Sequence, residues 1–171
     1  FEDDVDDFQG TIGSSPARDA AGPGRVIASP NADLNIVSNR AAEPVGSNGY
    51  SPAAFNTLNA EGKNPQLANG VQDVINQIQA KCQAKGGPIS VALVGHGVPG
   101  AIQIGNTRIT LSPRPNTNDM TPAQFHTAID KIAAGGNAGA QCVKAIDFYS
   151  CNTGRNTPGQ TQGTDFLNAM Q

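Results

Sequence analysis

The chain has 171 residues, of which 15% are charged and 5% aromatic, with a net charge of −3 and no tryptophan. Its length suits one domain with a proper core. The charge, well under the roughly 25% of ordinary soluble proteins, excludes a charge-dominated disordered chain, and the composition excludes collagen and coiled coil. No apolar run approaches the roughly 20 residues needed to span a bilayer. The sequence opens on Phe1 rather than Met, which predicts that a leader has been removed.

Five of the fourteen acids, Glu2, Asp3, Asp4, Asp6 and Asp7, fall in the first seven residues, and the remainder is close to neutral. This segment reads as a solvated terminus, or functionally as an interaction tail or propeptide remnant. Residues 1–24 are accordingly expected to be tail and loop, and 25–171 a single domain. No basic stripe and no interleaved aromatic platform appear, so neither nucleic acid nor an anionic membrane is an expected partner.

In chain order, Arg25–Ser29 and Leu34–Ser38 are short apolar runs, predicted as strands around a Pro30–Asn31 turn. Asn39–Asn69 has no sustained period, with one short helix expected near Pro52–Leu58. Val71, Ile75, Ile78 and Cys82 then recur at helical spacing. Asp73 falls in the first turn, Lys81 and Lys85 in the last, and Gly86-Gly87-Pro88 as a stop. Ile89–Val94 is a continuous β-branched and aliphatic run, the pattern of a buried parallel strand. Ala101–Ile104 and Arg108–Leu111 read as a hairpin across Gly105-Asn106-Thr107. Thr121-Pro122-Ala123-Gln124 is a capping-box start with proline at the first helical position. The helix it opens carries Phe125, Ile129 and Ile132 on its apolar face and is expected to reach Gly135-Gly136. Val143–Tyr149 reads as a second buried strand, and a last short helix begins near Asp165. These elements predict an α/β sandwich around a small, mostly parallel sheet, with the functional site at the carboxyl ends of the strands.

The two buried strands run into Gly95-His96-Gly97 and into Ser150-Cys151-Asn152. A thiol attacks as its thiolate, and a neighbouring imidazole promotes that ionisation. Adjacent strands ending in His and Cys would supply such a pair, whereas taken singly His96 reads as a loop histidine and Cys151 as a small buried hydrophobe. The second histidine, His126, reads as a surface residue of its helix. Cys82 closes the helix before the His strand, and Cys142 precedes the Cys strand. Both fall at the other end of the sheet, where either a disulfide or two reduced structural cysteines fit. A bridge would leave Cys151 as the free thiol and imply an oxidising, extracytoplasmic compartment.

Val91–Gly105 (VALVGHGVPGAIQIG) followed by Ala145–Gly154 (AIDFYSCNTG) resembles the paired His-Gly and Cys blocks of caspase-like, clan CD cysteine peptidases, chiefly bacterial domains of that type. The interval from His96 to Cys151 is 55 residues, near the roughly 50 of caspases. The resemblance spans about Val71 to Met170. It implies a caspase/haemoglobinase-like three-layer sandwich, with Cys151 as nucleophile and His96 as general base and acid. It further implies an oxyanion hole from the N–H groups of Gly97 and Cys151, a polypeptide substrate, and neither metal nor organic cofactor. The block YSCNTG departs from the Gln-Ala-Cys-x-Gly of caspases, so aspartate specificity does not transfer. Gln171 follows the nucleophile by about twenty residues, where related peptidases continue with strands that shape the substrate pocket. That wall is therefore expected from the N-terminal half or from a partner chain, including a second copy, or is expected to be absent. Asn31, Asp33 and Arg155 are the candidate substrate-binding residues, and Asp147 reads as structural or orienting. Two further readings stand beside this one. The first is a non-catalytic relative using the groove for recognition. The second is an α/β-hydrolase-like protein with Gly97 where the nucleophile elbow needs serine.

Overall fold

The computed structural model describes residues 7–12, 32–42, 51–133, 141–151 and 159–170, with the backbone alone at 7–12, 40, 51–53 and 151. Strand β1 (Asp7–Ile12) is followed by β2 (Leu34–Ser38), a 3-10 turn at Arg40–Ala42, α1 (Ser51–Ala60), β3 (Gln66–Ala68) and α2 (Val71–Lys85). Then come β4 (Ile89–Val94), β5 (His96–Val98), β6 (Ala101–Ile104), β7 (Thr107–Thr110), α3 (Pro122–Asp130), β8 (Val143–Cys151) and α4 (Gln162–Ala169). The main sheet has the order β1-β8-β4-β2-β3, and β5-β6-β7 form a second, antiparallel sheet. In the main sheet β8, β4, β2 and β3 are parallel and β1 lies antiparallel on the β8 edge.

Both faces of the parallel strands are covered, so β2 is buried at all of its positions, Asn35 and Ser38 included, and β4 reads as a mostly apolar run. Leu34, Ile36, Val91, Leu93, Ile146 and Phe148 pack with Val74, Ile78, Phe125, Ile129 and Phe166 of α2, α3 and α4. The alternate positions Val37, Ala92, Val94 and Tyr149 pack with Ala54 and Leu58 of α1. A register shift between the Ile89–Val143 and Ser90–Ala145 pairs lets Val143 join the face of Ile146 despite its odd number. The architecture is thus an α/β arrangement with helices on both sides of a mostly parallel sheet, as the sequence predicts.

Several boundaries differ from the sequence reading. Asp7–Ile12, expected as tail, is an edge strand, and the three-residue strands β3 and β5 were not anticipated. The hairpin loop is Gly105-Asn106 alone, so its second strand starts at Thr107. Helix α3 has the expected capping box, Thr121 Oγ1 accepting from the Gln124 N–H and Gln124 Oε1 from the Thr121 N–H. It stops at Asp130, short of Gly135, because the chain leaves to pair with the start of β8: Ala133 bridges Gln141, and the Cys142 N–H donates to the Ile132 carbonyl. Helix α4 starts at Gln162, earlier than expected. His126 is half-buried, and its Nε2 lies 3.3 Å from the Met170 carbonyl, joining α3 to α4. The expected strand Arg25–Ser29 lies outside the described residues.

Cys82, in the last turn of α2, and Cys142, just before β8, form a disulfide in which both residues are fully buried. The bridge therefore ties the helix that leads into β4 to the strand that lies beside β4.

Candidate functional site

The carboxyl ends of β4 and β8 lie side by side. From Ser90↔Ala145 to Val94↔Tyr149 the paired residues differ by 55 positions, the interval that also separates His96 from Cys151. The ladder continues past Val94, because the Gly95 N–H donates to the Tyr149 carbonyl at 3.0 Å. His96 opens β5, which leaves the main sheet to pair with β6 and still packs against β8. Cys151 closes β8, where its backbone partner on β1 is Asp7. The backbone at His96 and at Cys151 thus reaches the same end of adjacent strands.

Gly95 is the pivot between the two sheets. A Cβ there would lie 2.7 Å from Ile104 Cδ1 and 2.8 Å from the Gln103 carbonyl oxygen, so β6 crosses too close for any side chain. Gly97, between His96 and Val98, is buried and faces Ile102 across the ladder. His96 is half-buried.

The hairpin after β5 is fastened to the same end of the main sheet. The Gly105 N–H donates to Ser38 Oγ at the end of β2, and the Asn106 N–H donates to the Asn69 carbonyl just past β3. Thr107 Oγ1 accepts from the Val71 N–H, the first residue of α2. Behind the hairpin Asp119 has no exposed side-chain surface and holds the Arg114 guanidinium through both carboxylate oxygens, at 2.8 Å each. It also accepts from the backbone N–H groups of Arg108 and Arg114. Burial alone would raise its pKa; the Arg114 guanidinium, those two N–H groups and Thr117 outweigh this and hold it well below the usual carboxylate range.

Of the other sequence-derived candidates, Asp33 is not brought to His96. Its backbone N–H donates to the Ser90 carbonyl at the opposite, amino end of β4. Its carboxylate accepts from Lys85 Nζ at 2.6 Å and from the Ser90 N–H at 2.9 Å. The Lys85 hydrogen bond, then that of Ser90, lowers its pKa, which marks a structural tie between α2 and β4. Asn31 and Arg155 lie outside the described residues. Asp147 sits in mid-β8 opposite Ala92, within the ladder. No group of three or more His, Cys, Asp or Glu residues suited to a metal occurs among the described residues.

Sequence reasoning missed Gln103, Arg108, Arg114 and Asp119. The hairpin pattern alone, with its loop at Gly105-Asn106, would have set Gln103 opposite Arg108; the third strand carrying His96 has no periodic signal. Comparison with protein-family models, with curated proteins and with solved structures finds no match.

Proposed function

We propose that the chain is a cysteine endopeptidase of the caspase-like type, with Cys151 as nucleophile and His96 as its base. The observation that carries this reading is the shared 55-residue offset of the β4–β8 register and of the two side chains, extended past Val94 by the Gly95–Tyr149 hydrogen bond. In the proposed reaction His96 accepts the thiol proton, and the Cys151 sulfur attacks a peptide carbonyl to form a tetrahedral adduct. The Gly97 and Cys151 N–H groups receive its oxyanion. The adduct collapses to a thioester as His96 protonates the departing amine, and water, deprotonated by His96, then releases the acid and regenerates the thiol. The substrate is a polypeptide, this chain itself included.

The Cys82–Cys142 bridge supports an extracytoplasmic setting, where disulfides persist. It also leaves Cys151 as the thiol outside the bridge. Among the described residues no helix is long and apolar enough to cross a membrane.

The deciding experiment is site-resolved alkylation of unreduced protein with iodoacetamide across pH, for wild type and His96→Ala. Cys151 alone is expected to react, with a half-maximal rate below the reference thiol pKa of about 8.5, and His96→Ala to move that midpoint back up. A Cys151 that is inert, or that reacts identically without His96, removes the peptidase and leaves a binding domain.

A further inference from the structure

The face of the small sheet that carries His96 continues across two more strands. His96 stands opposite Gln103, and Gln103 opposite Arg108. Directly opposed residues share a face, so the three form one row from β5 to β7. The row starts at the strand that packs against β8 and leads away from it, past β6, which touches β2, to β7, which touches α2 and α3.

Gln103 is 2% exposed, and its amide has one workable orientation. Its Nε2 donates to the Gly105 and Thr107 carbonyls, at 2.6 and 3.0 Å, which turns Oε1 to accept from Arg108 Nε. Arg108 is half-buried, with its Nε held by the Gln103 amide oxygen. Its two terminal nitrogens meet no carboxylate among the described residues, because Asp119 is occupied by Arg114 and takes only the backbone N–H of Arg108. A half-buried arginine whose terminal nitrogens meet no carboxylate among the described residues is suited to take one from a ligand, because a carboxylate fits its planar fork.

We propose that Arg108 is a specificity-determining residue that selects peptides with a carboxylate side chain at the first or second residue on the leaving-group side of the scissile bond. The assignment rests on the Cys151–His96 reading. The side follows from chemistry: the departing amine takes its proton from His96, so the leaving half of the substrate lies on the His96 side, along the row. Arg108 stands two strand spacings from His96, about 10 Å between backbones. An aspartate or glutamate one or two residues past the reacting carbonyl, with its own side chain and that of Arg108, spans this distance.

The test uses matched internally quenched peptides that differ only by Glu against Gln at those two positions. Wild type is expected to favour Glu in kcat/KM by about tenfold, the scale of one charge-assisted contact, and Arg108→Gln to bring the ratio near one. Arg108→Lys, which keeps the charge and loses the fork, is expected to fall between and guards against misfolding of the first variant. Binding of the same peptides to Cys151→Ala, followed by amide chemical shifts, needs no turnover. There too Glu is expected to bind about tenfold more tightly, and Arg108→Gln in that background to abolish the difference. Equal treatment of Glu and Gln by wild type, or an unchanged preference in Arg108→Gln, overturns the proposal. Glu-selective binding without hydrolysis of any peptide would remove the peptidase and leave Arg108 as the recognition residue of a binding groove.

Discussion

Thr107 accepts the backbone N–H of Val71 at 2.8 Å across 36 residues, so the helix that leads into β4 is capped by the hairpin that follows β4. The position before Val71 is Gly70, which has no side chain to cap with. Asp73 closes the other half of the turn by accepting from the Asn69 N–H at 3.0 Å. The hairpin and the helix start therefore form one unit, with the His96 strand built into it.

Thr107→Val keeps the shape of the side chain and removes the acceptor, leaving the Val71 N–H unpaired at a residue with no exposed surface. A loss of about 1–2 kcal/mol in urea unfolding is expected, with faster amide exchange at Val71. Thr107→Ser should recover most of it.

Gly105→Ala is expected to be harsher. Glycine there has a φ of +53°, and an added Cβ would overlap the Asn69 carbonyl. Either the loop lifts from β2, breaking the Gly105–Ser38 hydrogen bond, or the chain after β3 moves. A cost above about 3 kcal/mol belongs to this kind of backbone conflict; thermal or urea unfolding that shows under 1 kcal/mol would mean the hairpin is not seated as described.

The Cys82–Cys142 bridge spans a sequence separation of 60 residues. Loop-closure entropy alone assigns such a link about 4 kcal/mol, so Cys82→Ala/Cys142→Ala should lower the urea midpoint markedly. Reduction of the native protein should be slow unless denaturant is present, because both cysteines are fully buried. Parallel unfolding curves with and without reductant check both statements.

Asp119 and Asp33 both have pKa values depressed in the folded protein. A lowered carboxylate stabilises above its unfolded pKa, about 3.9, and that contribution disappears as pH falls through the folded value. Stability should therefore be flat in these groups above about pH 5 and decline below about pH 4. Asp119→Asn should cost about 3 kcal/mol at pH 7 by leaving Arg114 unpaired, and its deficit should shrink as the wild type is acidified. A deficit that stays constant down to pH 2 would contradict the assignment.

Long periodic elements were legible in the sequence because their own residues specify them. The spacing of Val71, Ile75, Ile78 and Cys82 marks α2, the Thr121–Gln124 box marks α3, and the apolar runs mark β4 and β8. The illegible parts depend on partners far away in the chain. Strand β3 has three residues, two of them exposed, and exists through its pairing with β2. β5 is His-Gly-Val, too short to show alternation, and β1 contains Asp7, Gln9 and Gly10, which local preference assigns to a tail. The candidate His and Cys were visible because each follows a readable strand. Arg108 was not, since its placement depends on a row of three strands and on one buried glutamine.

The exposed loop between β7 and α3 lies inside the span closed by Cys82 and Cys142. A protease that severs the chain at residues 115–118 would yield two peptides, one bearing His96 and the other Cys151. The bridge would keep them covalently joined, and the β4–β8 ladder would hold them in register. Such a two-chain form would run as one band in non-reducing electrophoresis and as two after reduction, with the backbone at His96 and at Cys151 still at the same end of adjacent strands.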